Sequence, residues 1–364
     1  MRKLLFLTLI SASFLNLSAQ KTEEPSGKVS GLIFGDYYYN AVRDTGFANI
    51  KNAAVTGAKD AHGLQFRRIN LTYDYKFSSK FSSRIRLESD EANFTVNSSD
   101  KSSKTSVYIK DAWVKWNFSA NHELIVGLQP TNAFEVSEGI WGNRFLERTI
   151  LDLRGYVASR DMAISLKGKL DSTGIVKYWL MYGNNSPSKP ESDKYKRFYG
   201  NIELTPIKNL SITAYADYQT KADIKDKYNS NAEIANDILT TAFFVGYKVK
   251  NKYSGGVEAI YNKITNGFDN KLDSVYLDKS GMGLSVFGSV NLAPKTSVFG
   301  RYDYFEPNAD VSDDKRNWYI FGLSYKPTEK VILTPNIIME TYEKVGSTEI
   351  KSSITPRISF SWTF

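Results

Sequence analysis

Charged residues of both signs are concentrated in one stretch of the chain, residues 130–159. The candidates for chemistry there are Glu135, Glu138, Arg144, Glu147, Arg148, Asp152 and Arg154. Opposite charges that face each other across a narrow, water-filled gap create a transverse field, which orders water and favours small polar solutes over apolar ones. Apolar residues such as Trp141 and Leu146 lie between these charges and predict that the stretch packs against the rest of the protein. A solvated surface loop is the alternative.

The segments around this stretch alternate apolar and polar residues, which is the pattern of β-strands with one apolar and one polar face. In residues 65–77 every second residue from Ile69 to Phe77 is apolar, and residues 81–90 repeat the pattern after a short turn. Centring this hairpin on Ser79 predicts three polar pairs across the two strands: Arg68 with Asp90, Asn70 with Glu88, and Asp74 with Arg84.

About sixteen such strands can be counted, and short turns alternate with long polar connections between them. Short periplasmic turns alternating with long outer loops are typical of a transmembrane, antiparallel, up-and-down β-barrel. A soluble β-sandwich gives no reason for this alternation. We therefore predict an all-β protein with a single barrel domain over residues 20–364. Because a large barrel has an open lumen, we expect its long third outer loop, residues 130–159, to fold inward.

The polar faces of these strands would form the wall of the lumen. The predicted wall residues are Arg68, Arg84, Arg86, Glu88, Lys115 and Arg357. For Arg84 and Arg86, structural pairing with neighbouring carboxylates is an equally good interpretation. The formal net charge of +8 indicates a weak preference for anions, although loop charges contribute to it without lining the lumen. Nucleic acid is excluded as a partner because bases alternate with acids along the strands.

Both ends of the chain predict export. Residues 1–19 have two basic residues, a short apolar run and Ala19 before Gln20, which indicates a signal peptide cleaved after Ala19. The last strand alternates as far as Phe364 and closely resembles the C-terminal assembly signal of bacterial outer-membrane β-barrels, with Trp362 and Phe364 as its aromatic residues. That resemblance implies the barrel assembly machinery and outer-membrane lipid as partners.

Four short segments carry a resemblance to a known family. They are Lys110-Asp111-Ala112-Trp113, Gly127-Leu128-Gln129-Pro130 with Phe134-Glu135, Phe145-Leu146-Glu147-Arg148-Thr149, and Ser159-Arg160-Asp161-Met162-Ala163. Over about residues 31–170 the chain resembles the phosphate-selective porin O and P family. The resemblance implies a sixteen-stranded, trimeric porin of the cell outer membrane, without a cofactor, in which the third loop constricts a water-filled channel for small hydrophilic solutes or anions. Phosphate selectivity does not carry over, because the bases here are interleaved with acids.

Other functions have less support. An enzyme would need a histidine base beside a nucleophile or an acid, and His62 and His122 fall at opposite ends of the predicted barrel. The absence of cysteine removes cysteine-based metal and catalytic sites, and the acidic segments 269–273 and 310–314 lack the spacing of a calcium loop. A barrel whose outer loops bind a ligand or a surface, without general conductance, stays open as the alternative.

Two prolines interrupt the strand pattern near the C-terminus. Pro335 and Pro356 each remove a donor from the strand ladder. Folding the last hairpin about its loop places them roughly opposite one another, which predicts a β-bulge at that height.

Overall fold

The computed structural model describes residues 24–44, 57–90, 106–187, 189–344 and 348–364. Its first nine strands are β1 (Ser26–Tyr39), β2 (His62–Lys76), β3 (Phe81–Asp90), β4 (Tyr108–Asn117), β5 (His122–Pro130), β6 (Arg160–Lys169), β7 (Val176–Gly183), β8 (Arg197–Leu204) and β9 (Leu210–Gln219). The others are β10 (Ile224–Asp226), β11 (Ala232–Ile234), β12 (Ile238–Val249), β13 (Tyr253–Asn270), β14 (Val275–Ala293), β15 (Thr296–Glu306), β16 (Arg316–Thr328), β17 (Val331–Tyr342) and β18 (Ser353–Thr363). Two short helices, α1 (Glu135–Trp141) and α2 (Ile150–Leu153), lie between β5 and β6.

Sixteen strands form one closed antiparallel barrel, in which neighbours in sequence are neighbours in space and β1 pairs with β18. Of the strands within the described ranges, only β10 and β11 lie outside it, as a separate two-stranded sheet. The predicted up-and-down barrel is therefore confirmed. Short turns such as residues 77–80 lie at one end, which we call the short-turn end, and long connections such as residues 220–237 lie at the other. In the described part of the chain, no helix combines the length and apolarity needed to cross a bilayer.

The alternation of side chains along the strands explains which surface is apolar. Leu71, Ile85, Val126 and Ile164 are among the many large apolar residues exposed on the outside, while polar side chains point inward. Soluble proteins rarely expose so much apolar surface, whereas a barrel in a bilayer requires it. The predicted β2–β3 register is also confirmed at all three pairs that were derived from the turn at Ser79.

Two register shifts turn adjacent charged residues toward the lumen. In the β1–β2 ladder, Phe34 pairs with Arg68 and Gly35 pairs with Phe66, which leaves Arg67 as an extra residue. In the β3–β4 ladder, a similar shift leaves Lys110 unpaired in the register. A bulge of this kind re-aims a side chain. Arg67 and Arg68 consequently both contact groups inside the barrel, although they are adjacent in sequence.

The barrel closes where β1 meets the C-terminal strand. The amide of Gly31 donates to the carbonyl oxygen of Phe364 (3.1 Å), and the amide of Phe364 donates back to Gly31 (3.2 Å). Aromatic rings cover the glycines of β1, with the ring of Phe364 over Gly31 and that of Phe360 over Gly35. Because glycine has no side chain, these rings can lie directly on the backbone.

The predicted bulge at the two prolines is wrong. The register between β17 and β18 runs without a shift through both Pro335 and Pro356. Alternate residues of an antiparallel strand direct their N–H groups to opposite neighbours, so each proline removes a donor from one ladder only. The ladder is interrupted at the two outer edges of the hairpin, where β17 faces β16 and β18 faces β1. The pairing of β16 with β17 skips Pro335, and that of β1 with β18 ends at Arg357, next to Pro356.

Replacing Gly35 by alanine is expected to weaken barrel closure. The added methyl group would collide with the backbone carbonyl oxygen of Gln65 and with the ring of Phe360, and overpacking of this kind costs about 1–3 kcal/mol. The variant should unfold at a lower temperature in detergent, as measured by the heat-dependent shift in gel mobility. Gly63→Ala is the matched control, because no atom lies within 4 Å of its added methyl group. Equal unfolding temperatures for the two variants would contradict this explanation.

Candidate functional site

The connection between β5 and β6, residues 131–159, lies inside the barrel and packs against one side of its wall. Trp141 of α1 contacts Phe287 edge to face, with ring centroids 5.2 Å apart. Leu146 and Trp318 are fully buried in the same apolar cluster, which joins the loop to β1, β12 and β14–β17. The apolar residues of the loop therefore seal that side of the lumen. The helix α1 ends at Gly142, whose left-handed conformation (φ 70°) lets the chain turn back.

Wall arginines hold the main chain of this loop. Carbonyl groups inside a barrel need donors, because a buried carbonyl without a partner is costly. Four guanidinium groups donate to carbonyl oxygens of the loop: Arg67 to Leu146 (2.6 Å), Arg357 to Leu146 (3.1 Å), Arg197 to Tyr156 (2.9 Å) and Arg301 to Arg148. We call these four contacts the arginine clamp. They come from β2, β18, β8 and β15, so they fix the loop from several directions.

A buried ion pair adds to the clamp. Arg154 of the loop lies 2.8 Å from Glu340 of β17, and both side chains are 0% exposed. The guanidinium of Arg154 also lies over the ring of Phe305, at 4.6 Å from its centroid. Removing one partner of such a pair would leave a charge buried in the interior, so the two residues depend on each other.

The carboxylate of Glu147 interacts with two arginines of the clamp, Arg67 and Arg357. Burial alone would raise the pKa of this carboxyl group, but the charges of Arg67, Arg148 and Arg357 outweigh burial and lower its pKa to about 2. The carboxylate of Glu147 lies 3.5 Å from Arg67. Of the predicted constriction residues, Glu147 and Arg154 thus contact the barrel wall instead of open space.

The other charges of the loop mostly pair with each other. Arg144 contacts Glu138 (2.6 Å) and Asp152 (3.2 Å), and Arg148 lies 3.9 Å from Asp152. Burial raises the pKa of Glu138, and the charge of Arg144 opposes this only in part. Glu135 differs from the rest, because it is largely exposed and reaches across to Lys167 of β6.

Arg84 and Arg86 form the ion pairs that were the alternative interpretation of their role, and the predicted wall residue Lys115 is paired as well. Arg84 donates two hydrogen bonds to Asp74, at 2.7 and 3.0 Å. Arg86 lies 3.2 Å from Asp111, and Lys115 pairs with Glu123 at 3.1 Å. These bases carry paired charges, and they also border open space.

Three predicted wall residues lie in more enclosed surroundings. Glu88 is only 1% exposed and accepts from Tyr108 (2.7 Å) while contacting Lys110 (2.9 Å) and Arg68 (3.5 Å). Sequence reasoning placed Arg357 on the open wall, but the structure places it at the buried interface between wall and loop. There it is 9% exposed and lies 3.4 Å from Asp36.

The loop also packs on the other side of the barrel, where Phe134, Ile150 and Leu151 share a second apolar cluster with Trp179, Met181 and Tyr199 of β7 and β8. Open space on this side lies next to that cluster, along β3–β7. A cavity of about 330 Å³ separates wall residues such as Arg84, Arg86 and Arg160 from Glu135 and Glu138 of the loop. A second cavity, of about 810 Å³, opens toward the short-turn end between β4–β8 and α1. A third, of about 460 Å³, shares Arg84 and Lys115 with the first. Beneath the loop on its sealed side, a further cavity of about 680 Å³ lies at the short-turn end.

The histidines and acidic segments do not form a common site. His62 contacts the hydroxyl of Tyr37 (3.0 Å) at the long-loop end, and His122 contacts that of Tyr178 (2.9 Å) at the short-turn end. Within the described ranges, no three metal-ligating residues cluster. Asp269 accepts hydrogen bonds from Lys227 (2.6 Å) and Tyr228 (2.9 Å), which ties β13 to the connection that carries β10 and β11.

Sequence reasoning missed Arg67, Arg197, Arg301 and Lys167. Lys167, Arg197 and Arg301 occupy polar positions of segments that alternate in the sequence, so their period-two positions could have placed them on the inner face. Arg67 could not have been found this way, because only the bulge turns it inward.

No protein-family model matches the sequence, and no curated protein matches it. Solved structures match its fold. The anion-selective porin from Comamonas acidovorans aligns with a TM-score of 0.63 at 12% identity, covering 94% of this chain and 100% of that one. The outer membrane channel DcaP of Acinetobacter baumannii gives 0.63 at 11%, covering 94% and 98%. The trimer form of OmpT, an outer membrane protein of Vibrio cholerae, gives 0.58 at 13%, covering 94% and 100%. At this identity the likeness concerns the fold: the chain has the closed β-barrel fold of porins and outer-membrane channels.

Proposed function

We propose that the protein is an outer-membrane porin, a water-filled channel for passive diffusion of small polar solutes and ions, constricted by residues 130–159. The observation that carries this proposal is the inward loop, which seals one side of the lumen and leaves adjoining cavities lined by both signs of charge on the other. Fixed charges of opposite sign favour hydrated polar solutes and disfavour apolar ones.

The apolar outer surface supports a location in outer-membrane lipid. The proposed mature chain begins after a signal peptide at residues 1–19, and residues 20–364 form the barrel domain. Trp362 lies near the end of β18 and Phe364 directly follows this strand, hydrogen-bonded to Gly31, where the barrel assembly machinery would bind them. The trimeric form of OmpT supports a homotrimer.

The permeant solutes are small and hydrophilic, with at most a weak preference for anions. The 330 Å³ cavity is bordered by five bases and three acids. Three of these bases, Arg84, Arg86 and Arg160, also form ion pairs with Asp74 and Asp111, which do not border the cavity but offset the positive charge. This compensation argues against a phosphate-binding array. The resemblance to the phosphate-selective porin O and P family therefore concerns the architecture of the loop and its strands, and not the solute.

A barrel that binds a ligand or a surface through its outer loops is the second candidate. It is supported by the long β13–β14 hairpin, whose Asp269 is tied to Lys227 and Tyr228 of the neighbouring connection. These contacts give the long-loop end an ordered projection. Conductance separates the two candidates.

Purified protein is expected to produce discrete, steady current steps when single barrels insert into a planar lipid bilayer in KCl solution. The steps are expected because the adjoining cavities beside the loop would give hydrated ions a path. The same protein after heat unfolding is the control and should give none. If folded barrels insert without steady steps, the lumen is plugged and the diffusion channel is refuted.

Replacing Arg154 by methionine is expected to loosen the loop. The change leaves the carboxylate of Glu340 buried without this guanidinium, and breaking a buried pair costs about 3–5 kcal/mol. Amide hydrogen exchange across residues 146–157 should become faster, and the current steps should become noisier. The double variant Arg154→Met with Glu340→Leu should return toward wild type, because it removes both charges.

Lys263→Met is the matched control for this experiment. Lys263 and Asp278 lie 2.6 Å apart, but both side chains are 41% exposed. An exposed pair contributes only about 0–1 kcal/mol, so loop exchange should stay as in wild type. Equal exchange rates in the Arg154→Met and Lys263→Met variants would show that the buried pair does not hold the loop.

A further inference from the structure

The cavity beside the loop and the larger cavity at the short-turn end share part of their lining, which we call the neck. Five residues border both of them: Lys115, Glu123, Glu135, Lys167 and Trp179. They come from β4, β5, β6 and β7 of the wall and from α1 of the loop. A solute that moves from one cavity to the other must pass these side chains.

The charges at the neck form a string of alternating sign. Lys115 lies 3.1 Å from Glu123, and Glu123 is directly opposite Lys167 in the β5–β6 register. Lys167 in turn lies 3.2 Å from Glu135. The ammonium of Lys167 also lies 4.1 Å from the ring centroid of Trp179, a cation–π contact that holds the charge at the neck. Two bases and two acids thus balance each other.

Exposure distinguishes this string from the ion pairs that anchor the loop. Lys115 and Glu123 are 28% and 24% exposed, and Lys167 and Glu135 are 34% and 59% exposed. The anchoring pair of Arg154 and Glu340 is fully buried. Exposed pairs contribute about 0–1 kcal/mol each, so thermal motion can open and reform them while a solute passes. The string is therefore suited to exchanging partners with ions.

We propose that the string Lys115–Glu123–Lys167–Glu135 sets the charge selectivity of the channel, with the contact between Lys167 and Glu135 as its adjustable link. An anion would take the place of Glu135 on Lys167, and a cation would take the place of Lys167 on the two acids. Since the four charges sum to zero, the neck itself passes small ions of both signs. This inference rests on the proposed diffusion function.

Reversal potentials in a KCl gradient test the assignment. Glu135→Gln leaves two bases and one acid in the string and should raise the chloride-to-potassium permeability ratio roughly threefold, the effect of about half a kT of local potential acting with opposite sign on the two ions. Lys167→Gln should lower the ratio to a similar extent. The charge exchange Lys167→Glu with Glu135→Lys rebuilds the pair and should bring the ratio back to the wild-type value. Gel mobility before and after heating verifies that each variant has folded.

Glu203→Gln is the matched control. Glu203 pairs with Lys177 at 3.1 Å and borders the larger cavity, but it does not border the neck. With about 1 M KCl on the dilute side the screening length is about 3 Å, so this variant should shift the ratio far less than Glu135→Gln does. Equal shifts in the two variants, or no shift in a conducting Glu135→Gln variant, would refute the role of the neck in selectivity but would not refute the diffusion function. Wild-type barrels without current steps would refute the diffusion function, and this inference with it.

Discussion

Hydrogen bonds from wall arginines to the main chain of an inward-folded loop are the interaction on which the rest of this structure depends. A loop inside a barrel has no strand beside it to satisfy its carbonyl groups. Here the guanidinium groups of Arg67 and Arg357 both donate to the carbonyl of Leu146, and Arg197 donates to that of Tyr156. These bonds let irregular backbone remain in the lumen at a fixed position.

The fixed loop divides the lumen into two unlike sides. Toward β12–β17 its apolar residues pack with Trp318, Ile320 and Ile338, so that side is closed by the same forces that build a protein core. Toward β3–β7 the loop presents Glu135 and Glu138 to a wall of bases across open space, next to the apolar cluster that joins it to β7 and β8. The proposed path is consequently off centre, and it is bordered by a few exposed charges, whereas many other charges inside the barrel are buried.

Period-two patterning was enough to predict the barrel, because the side chains of every strand alternate between the apolar outside and the polar inside. It also predicted the β2–β3 register, since a short turn leaves one way to align Asp74 with Arg84. It failed where a bulge breaks the period, as at Arg67. It could not decide which inward charges border open space, because the environment of Arg357 depends on a loop that lies 211 residues away in the chain. The prediction of a bulge at the two prolines was wrong because each proline lacks an N–H donor toward only one of its two neighbouring strands.

Single-cysteine labelling tests the division of the lumen most directly, because the natural chain contains no cysteine. Asn117 borders two of the cavities on the open side, whereas Thr334 points inward on the sealed side and is 0% exposed. A charged, thiol-reactive reagent added to conducting Asn117→Cys channels should reduce their current, and the same reagent should leave Thr334→Cys channels unchanged. Equal reaction at both positions, or unchanged current in labelled Asn117→Cys channels, would contradict a lumen that the loop seals on one side and leaves wet on the other.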